Sequence, residues 1–165
     1  MESIAYYNGV FGKPEDMTIP LLDRAVFFGD GCYDAAFIMN GKPLDFAWHL
    51  DRFFNSCRLM RIEFDRSRAE LEAILLEAVA RSGAATALLY WQTSRGVAPR
   101  GHCFPPAGTR PTLLVTVSEK GMPDVYTPAP MITAEDTRHH HCNIKTLNLF
   151  PNVMASQAAR DAGAY

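Results

Sequence analysis

The spacing of apolar and polar residues predicts a chain in which strands and helices follow one another closely. Short apolar or alternating runs predict strands at 4–8, 32–39, 86–94 and 112–118, and a short stretch at 16–19 predicts one more. The pairs Asn8-Gly9 and Asn40-Gly41 are typical of tight hairpin turns. Because such turns join antiparallel neighbours, we expect an antiparallel sheet.

Two longer segments have the helical period instead. In 46–62 the apolar residues fall at positions 46, 50, 53, 54, 57 and 60, which predicts a helix with one apolar face. His49 and Arg52 are three residues apart and therefore share a face of that helix, beside its apolar stripe. A second helix is predicted over 67–82, where Ser67 and Glu70 form a capping box and Gly83 is the stop.

The pattern changes after position 120. Residues 121–130 are rich in proline and glycine, which is typical of a segment that connects two domains. We expect 130–134 to begin a further strand. Asn148 is predicted to cap a last helix, and Pro151 is tolerated in its first turn because the N–H groups there lack intrahelical partners.

Composition argues against several classes of function. The chain has 165 residues, 48% of them hydrophobic, and a formal net charge of −2, so it can bury a core and lacks the basic surplus typical of nucleic-acid or membrane-surface proteins. No apolar run is as long as a membrane span, and MESIAYYNG does not read as a signal peptide. The four cysteines form no CxxC pair, so we expect reduced thiols in a cytoplasmic protein, while disulfide pairing stays open.

Lys145 differs from the other three lysines because no charged side chain occurs between Thr146 and Ala159. A lysine in a dry pocket is destabilised in its ammonium form. Its neutral amine can attack a carbonyl carbon and form a Schiff base. The alternative is an ordinary surface lysine at the end of a strand, and spacing alone does not decide between the two.

The segment around this lysine, DTRHHHCNIKTLNLFPNVMASQAARDAG, resembles the lysine segment of the fold-type IV pyridoxal-phosphate enzymes. That family includes D-amino-acid and branched-chain aminotransferases and aminodeoxychorismate lyase. Its pattern is roughly R-x-x-x-C-[DN]-I-K-[ST]-L-N-[LY], followed by a helix rich in small residues. Here the pattern begins at Arg138 and continues from Cys142 to Leu149. The resemblance implies that Lys145 is the catalytic lysine and binds pyridoxal 5'-phosphate.

Two earlier motifs resemble the same family. DRAVFFGDGCYD is similar to D-R-x-x-x-F-G-D-G-x-Y-[DE], where a tight turn of glycines able to adopt positive φ precedes a strand whose tyrosine faces the cofactor pocket. This position is Tyr33, whose phenol can hydrogen-bond a carboxylate or an imine proton. HLDRF resembles H-[LIVM]-x-R-[LF], which implies that Arg52 holds the cofactor phosphate and that His49 supports it. Without the resemblance, Tyr33 is an ordinary strand aromatic and Arg52 a solvated helix residue.

The loop after the strand at 86–94 has the most branch-specific motif. RGVAPRGHCFP is similar to R-G-x-x-P-R-x-H-x-[FY]-P of the D-amino-acid aminotransferases, whose arginine and histidine hold the substrate α-carboxylate in the partner subunit's site. The resemblance gives this substrate-binding role to Arg100 and His102. These residues are two apart, so in extended backbone they point to the same side and could grip one carboxylate. The alternative is a basic surface turn.

His139, His140 and His141 precede Cys142 and invite a metal interpretation. Consecutive residues of a strand alternate between its faces, so at most two of these histidines could converge. A structural zinc site also takes its ligands from separated segments. We therefore expect no metal site, and the three histidines are a departure from the residues common in the family.

The apolar pattern and the resemblance together predict an α+β fold in three parts. Residues 1–120 form a small N-terminal domain of antiparallel strands with two helices, 121–130 form the interdomain linker, and 131–165 begin a larger α/β domain that is incomplete here. In the family, the acidic partner of the pyridine nitrogen and the rest of the phosphate cradle follow the lysine segment. We therefore expect the chain to be part of a longer or truncated protein, with an exposed apolar surface that favours a homodimer.

The implied activity moves an amino group between a D-amino acid and a 2-oxo acid, such as 2-oxoglutarate, through a lysine-bound pyridoxal phosphate. The cofactor is the electron sink, and Lys145 moves the proton as general base and acid. Aminodeoxychorismate lyase and a branched-chain-type aminotransferase are alternatives within the family. A catalytically incompetent fragment is the alternative of another class, if the chain ends at Tyr165.

Overall fold

The computed structural model describes residues 3–122 and 124–164. The strands are β1 Ile4–Tyr7, β2 Val10–Gly12, β3 Gly31–Met39, β4 Lys42–Pro43, β5 Thr86–Ser94 and β6 Thr112–Ser118. The helices are α1 Arg24–Phe28, α2 Phe46–Met60, α3 Arg68–Ser82 and α4 Phe150–Asp161. The six strands form one sheet in the order β2-β1-β6-β5-β3-β4, and all neighbours are antiparallel. The predicted α+β class with an antiparallel sheet is confirmed.

The hydrophobic core lies between one face of the sheet and helices α2 and α3. Every second residue of β3, β5 and β6 is buried there, as the pleat of a strand requires. Helix α2 packs on β3, while α3 packs on β6 and β1. Trp91 and Phe53 are fully buried, with ring centroids 6.2 Å apart. The other face of the sheet is half buried and presents Tyr33 and Tyr90.

Both long helices form where the apolar stripes predict them. Helix α2 ends at Met60 because Arg61 adopts a left-handed conformation, with φ 56°. Helix α3 begins with the predicted capping box, in which Ser67 and Glu70 satisfy each other's backbone N–H groups. Gly83 ends α3 with φ 61°, a value that glycine adopts without steric cost.

The strand predicted at 16–19 is wrong. Asn8 and Gly9 both have positive φ, so the chain reverses at once and β2 pairs with β1 from Val10 onward. Pro14 then opens a single 3₁₀ turn through Asp16, and the residues that follow join no strand. The hairpin is therefore completed earlier than the apolar residues at 16–19 suggest.

The sequence pattern does not predict α1, because five residues are too few to show a period. Its signals are local: the Asp23 carboxylate accepts a hydrogen bond from the Ala25 amide at 2.9 Å, and Gly29 ends the helix with φ 58°. Helix α1 places the turn of Gly29, Asp30 and Gly31 directly before β3.

Two predictions after position 120 are also wrong. Residues 130–134 form no strand, and Met131 is 81% exposed, because no neighbouring strand lies beside them to accept backbone hydrogen bonds. The N-cap position of α4 is Leu149 rather than Asn148, and no side chain caps it. Asn148 instead donates to the Gly29 carbonyl at 3.1 Å and to Thr146 Oγ1 at 2.9 Å. Pro151 does lie in the first turn of α4.

Candidate active site

The segment around Lys145 pairs with the free edge of β3. The Tyr33 amide donates to the Lys145 carbonyl at 2.9 Å, and the Leu147 amide donates to the Gly31 carbonyl at 3.0 Å. Strand β4 pairs only with the far end of β3, at Ile38 and Met39, so this end is open to receive the segment. The glycine-rich turn motif and the lysine motif are therefore hydrogen-bonded to each other directly.

Gly31 is required by this close approach and not by its own backbone angle. A Cβ at this position would lie 2.2 Å from the Thr93 carbonyl oxygen and 2.8 Å from Leu147 Cδ1. Gly29 is the glycine of the turn that uses a positive φ. The turn thus needs its two glycines for different reasons.

The Lys145 amine lies over the ring of Tyr33, with Nζ 4.2 Å from the ring centroid. Tyr33 in turn stacks on Tyr90 at 5.4 Å, and the Tyr90 hydroxyl donates to Gln92 Oε1 at 2.7 Å. Burial, with a smaller contribution from Tyr33, raises the pKa of Tyr90 above its ordinary value, so this phenol stays neutral. Lys145 is half buried, between the dry pocket and the surface position that the sequence left open.

Ser56 supports the lysine segment from helix α2. Its side chain is 1% exposed, and its hydroxyl accepts a hydrogen bond from the Lys145 amide at 3.3 Å. Sequence reasoning missed Ser56, although it follows His49 and Arg52 at the i+7 and i+4 positions of the same helical face. Next to Ser56, the buried sulfur of Cys57 lies 3.5 Å from that of Cys32.

Arg52 and His49 converge on Asp34, a fully buried residue of β3 that sequence reasoning also missed. Arg52 donates from Nε to Oδ2 at 2.8 Å and from Nη2 to Oδ1 at 2.7 Å, and His49 Nδ1 lies 2.8 Å from Oδ1. Because a carboxylate oxygen accepts hydrogen bonds, His49 can bond to Asp34 only as the donor from Nδ1, and the 3.3 Å approach of Arg52 Nη2 to that nitrogen is then only a contact. The hydrogen bonds to Asp34 raise the pKa of Arg52 above its ordinary value.

A cleft of about 240 Å³ opens beside these groups, and we call it the Lys145 cleft. Tyr33, Arg52 and Lys145 line it together with Arg138 and with side chains of 139–152. Its described lining includes three cationic side chains and no carboxylate. The cleft is therefore suited to an anionic ligand, and it brings together three of the six residues to which the resemblance gives a role.

Arg100 and His102 lie elsewhere, against the ring of Phe28. The guanidinium carbon of Arg100 is 5.3 Å from its centroid, and the ring of His102 is 5.4 Å from it. The two side chains thus converge on one aromatic ring, although they do not line the Lys145 cleft. The intervening Gly101 carbonyl accepts a hydrogen bond from the buried Arg24 at 2.7 Å, which fixes the loop between them.

The three consecutive histidines lie in a turn and not in the strand that the prediction assumed. Their side chains are exposed, and the rings of His139 and His141 are 6.0 Å apart. Across residues 3–122 and 124–164, no group of three or more histidine, cysteine, aspartate or glutamate side chains is arranged to hold a metal ion. No helix in the same described part is long and apolar enough to cross a bilayer.

The class of protein follows from a family comparison. The model of the family described as amino-transferase class IV matches residues 31–165. The match covers β3, the Arg52 helix, the Arg100 loop and the lysine segment. The chain belongs to the amino-transferase class IV family.

Within the family, the chain is similar to the D-alanine aminotransferase of Listeria monocytogenes serotype 4b (strain F2365). The two are 34% identical over 162 residues, which cover 95% of this chain and 56% of the Listeria protein. The chain therefore spans little more than half the length of this curated relative.

Two solved structures share the fold. The branched-chain aminotransferase from Thermoproteus uzoniensis, solved with norvaline, has a TM-score of 0.82 over 98% of this chain and 57% of that chain, at 15% identity. The 4-amino-4-deoxychorismate lyase from Pseudomonas aeruginosa has a TM-score of 0.70 over 93% of this chain and 56% of that chain, at 24% identity. At such identities the likeness concerns the fold alone.

Proposed function

We propose that this chain is the lysine-bearing part of a pyridoxal-phosphate aminotransferase that moves an amino group between a D-amino acid and a 2-oxo acid. The observation that carries the proposal is the Lys145 cleft, where an amine, the Arg52 guanidinium and the Tyr33 phenol meet without an acidic lining residue among those described. An amine can bind an aldehyde covalently, and a guanidinium is a natural ligand of a phosphate ester. This donor set fits pyridoxal 5'-phosphate.

The chain's own residues would then have separate tasks. Lys145 would hold the cofactor through Nζ, Arg52 would bind its phosphate, and Tyr33 would form the wall beneath the amine. When bound, the cofactor supplies the electron sink that stabilises a substrate carbanion. With a substrate bound, Lys145 Nζ would take the proton from the substrate Cα as general base and would later donate a proton as general acid. The hydrogen bond from the Tyr33 amide to the Lys145 carbonyl would hold the main chain of the lysine beside this wall, and the Tyr33 ring lies 4.2 Å from Nζ.

The choice of a D-amino acid is supported by the loop that contains Arg100 and His102. Its pattern is that of the D-amino-acid branch, and the Listeria relative is named a D-alanine aminotransferase. Because both side chains lie against Phe28 and outside the Lys145 cleft, we propose that they bind the substrate carboxylate in the site of a partner subunit. A homodimer and a cytoplasmic location belong to this proposal. A branched-chain aminotransferase and an aminodeoxychorismate lyase share the fold and are the alternatives that substrate assays must exclude.

The first experiment measures the intact mass of the purified protein and its absorbance after addition of pyridoxal phosphate. We expect a near-visible band that is lost in Lys145→Ala and kept in the matched control Lys120→Ala, which removes an exposed lysine. Borohydride reduction followed by peptide mapping should place the cofactor mass on Lys145. A label spread evenly over the four lysines would contradict the proposal.

The second experiment tests turnover and substrate. We expect D-alanine with 2-oxoglutarate to give D-glutamate and pyruvate, with L-leucine and aminodeoxychorismate inactive. Preferred turnover of either of the last two would assign the protein to the corresponding alternative. If the measured mass equals that of the 165 residues and cofactor binds without turnover, the incompetent fragment is the better description.

A further inference from the structure

Asp34 is a buried charged residue that has no task in the proposed mechanism. Asp34 has no exposed side-chain surface, and a carboxylate buried this completely is costly unless its oxygens are satisfied. Both oxygens are satisfied, by Arg52, by His49 and by the Ala35 amide, which donates to Oδ1 at 2.8 Å. This cluster of hydrogen bonds lies directly behind the arginine that lines the Lys145 cleft.

The bonds to Asp34 fix the direction in which Arg52 faces. A guanidinium presents two usable edges, and Asp34 takes the edge formed by Nε and Nη2. In residues 3–122 and 124–164 no group bonds to Nη1, which belongs to the other edge, and Arg52 lines the cleft. The Trp48 ring lies 4.3 Å from the guanidinium carbon and restrains its plane from one face. With 32% of its side chain exposed, Arg52 depends on these two contacts for a single orientation.

We propose that Asp34 is a positioning residue for phosphate binding. It acts through Arg52: by binding Nε and Nη2, it orients the guanidinium so that the edge with Nη1 points to a phosphate in the Lys145 cleft. Trp48 is the second support of the same side chain. This inference rests on the proposed function, because it assumes that the anion bound in the cleft is the cofactor phosphate.

A purely electrostatic role of Asp34 and a positioning role predict opposite changes in phosphate affinity when its carboxylate is removed. Removing the Asp34 carboxylate leaves Arg52 uncompensated, so a purely electrostatic effect should strengthen the binding of a phosphate dianion. Positioning predicts weaker binding, because an asparagine at 34 offers Arg52 an N–H group where an oxygen accepted before. The sign of the change in affinity therefore decides between the two accounts.

The test compares pyridoxal 5'-phosphate with pyridoxal, which has the same aldehyde and no phosphate. Both are titrated by absorbance into the wild-type protein, Asp34→Asn and the control Asp51→Asn. Asp51 lies on α2, as Arg52 does, and the control loses only its solvent-exposed pair with Arg68 of α3. We expect Asp34→Asn to lose about tenfold in its preference for the phosphate form, with little change in pyridoxal affinity. Asp51→Asn should keep the wild-type preference. An unchanged or increased preference in Asp34→Asn would overturn the proposal.

A double-mutant cycle tests whether Asp34 acts through Arg52. In an Arg52→Lys background, which lacks the planar fork, Asp34→Asn should change the preference by less than about twofold. Equal effects in both backgrounds would show that Asp34 acts otherwise and would overturn the proposal.

Trp48→Leu provides a variant that should fold, since Trp48 is 57% exposed, and it should also lower the preference for the phosphate form. If Asp34→Asn does not fold, an unchanged preference in Trp48→Leu is the overturning result.

Labelling of Lys145 and the phosphate preference of Asp34→Asn distinguish the proposed function from the positioning role of Asp34. If reduction places no cofactor on Lys145, the proposed function fails. If Lys145 is labelled and the wild-type protein prefers the phosphate form, but Asp34→Asn shows the same preference, the function stands and only the positioning role of Asp34 is rejected.

Discussion

Asp30, between the two glycines of the turn, binds two arginines that come from different parts of the chain. Arg24 Nε donates to it at 2.7 Å, and Arg95 donates through Nε at 2.9 Å and Nη2 at 3.0 Å. Arg95 also caps helix α2 by donating to the Met60 and Arg61 carbonyls. Asp30 therefore links α1, the end of α2 and the start of the Arg100 loop.

The acid stability of the protein should reflect Asp30. Burial raises the pKa of its carboxyl, but the hydrogen bonds from Arg95 and Arg24 outweigh burial and hold the pKa below its ordinary value. The stabilisation is complete above that ordinary value, near 3.8, and is lost as the pH falls through the lowered pKa of the folded state. We expect Asp30→Asn to lower the free energy of unfolding by about 3 kcal/mol at neutral pH. Below pH 4, the free energy of unfolding of this variant should fall less steeply with decreasing pH than that of the wild type.

Urea unfolding at several pH values measures this effect, and Asp51→Asn is the control because its pair with Arg68 is exposed. The control should show the same fall in the free energy of unfolding at acid pH as the wild type, since surface ion pairs contribute little to stability. If the stability of Asp30→Asn falls as steeply with decreasing pH as that of the wild type, other carboxyl groups dominate acid unfolding.

Gly31 provides a second test of single positions. Gly31→Ala should destabilise the protein by about 3 kcal/mol, because its Cβ would collide with the rigid Thr93 backbone. The matched control is Gly83→Ala, where φ is 61° but the space is open, and about 1 kcal/mol is expected. Chemical denaturation gives both values. Equal costs at the two positions would mean that β3 can move away from β5 at this point.

These residues also separate features that the sequence predicts locally from contacts between distant positions that it does not predict. The positive φ of Gly29 follows from the local turn, and the tight turn at 29–31 is predicted correctly. The crowding at Gly31 comes from Thr93, which is 62 positions away, and the link between Asp34 and Arg52 joins a strand to a helix. No local pattern contains such contacts, so the sequence does not show that Asp34 binds Arg52 or that Ser56 binds Lys145. Motifs did single out Lys145, Tyr33 and Arg52 as candidates, and all three line the Lys145 cleft.

Among the elements, long ones were predictable and short ones were not. Helices α2 and α3 each have 15 residues, enough for an apolar stripe to repeat four times, and their predicted bounds hold within two residues. Helix α1 is too short for a stripe. Asn148 has the local signature of a cap, but a distant carbonyl at Gly29 takes its amide, so local preference was overridden by tertiary contact.

The packing of α2 on β3 can be tested through the four cysteines. Cys32 and Cys57 are buried between these elements, whereas Cys103 and Cys142 are exposed. The neighbouring Cys32 thiol and burial raise the pKa of Cys57 well above its ordinary value, which suppresses the reactive thiolate. We expect two thiols per native chain to react rapidly with a disulfide reagent and the other two only as fast as the protein unfolds.

The variant Cys103→Ser with Cys142→Ser is the control, and it should show no fast thiol while native. In denaturant, all four thiols of the unmodified chain should react. More than two fast thiols in the native protein would indicate that α2 separates from β3. A native protein with only two reactive thiols after unfolding would show that the buried pair has become oxidised.

The molecule as a whole divides unevenly into a packed part and an open part. All residues of the hydrophobic core cluster lie between Tyr6 and Val117. Residues 121–149 contain no helix or strand where they are described, and α4 has no buried residue. Phe150, Val153 and Met154 on α4 are 74%, 62% and 55% exposed, which agrees with the expected apolar surface. The boundary predicted at 120 stays a prediction, and this distribution of burial makes it testable.

We expect residues 1–120 to fold without the rest of the chain. The described part of 121–164 contributes to that domain a few backbone hydrogen bonds at β3, the contacts of Lys145 with Ser56 and Tyr33, the Asn148 contact and the packing of Leu147. Their removal should cost less than about 3 kcal/mol. Denaturant unfolding followed by tryptophan fluorescence measures this cost, because Trp91 is fully buried in the core. Leu147→Ala in the longer chain separates the apolar share of the loss.

A cooperative transition for 1–120, with most of the stability of the 165 residues, would identify the sheet with α2 and α3 as an independent folding unit. It would also mean that β3 keeps an open edge until the lysine segment pairs with it, so that Lys145 is brought to Arg52 and Tyr33 by only a few hydrogen bonds. Failure of 1–120 to unfold cooperatively would instead make the lysine segment part of the folding unit. In that case Leu147→Ala alone should lower the stability by several kcal/mol, as for a core leucine.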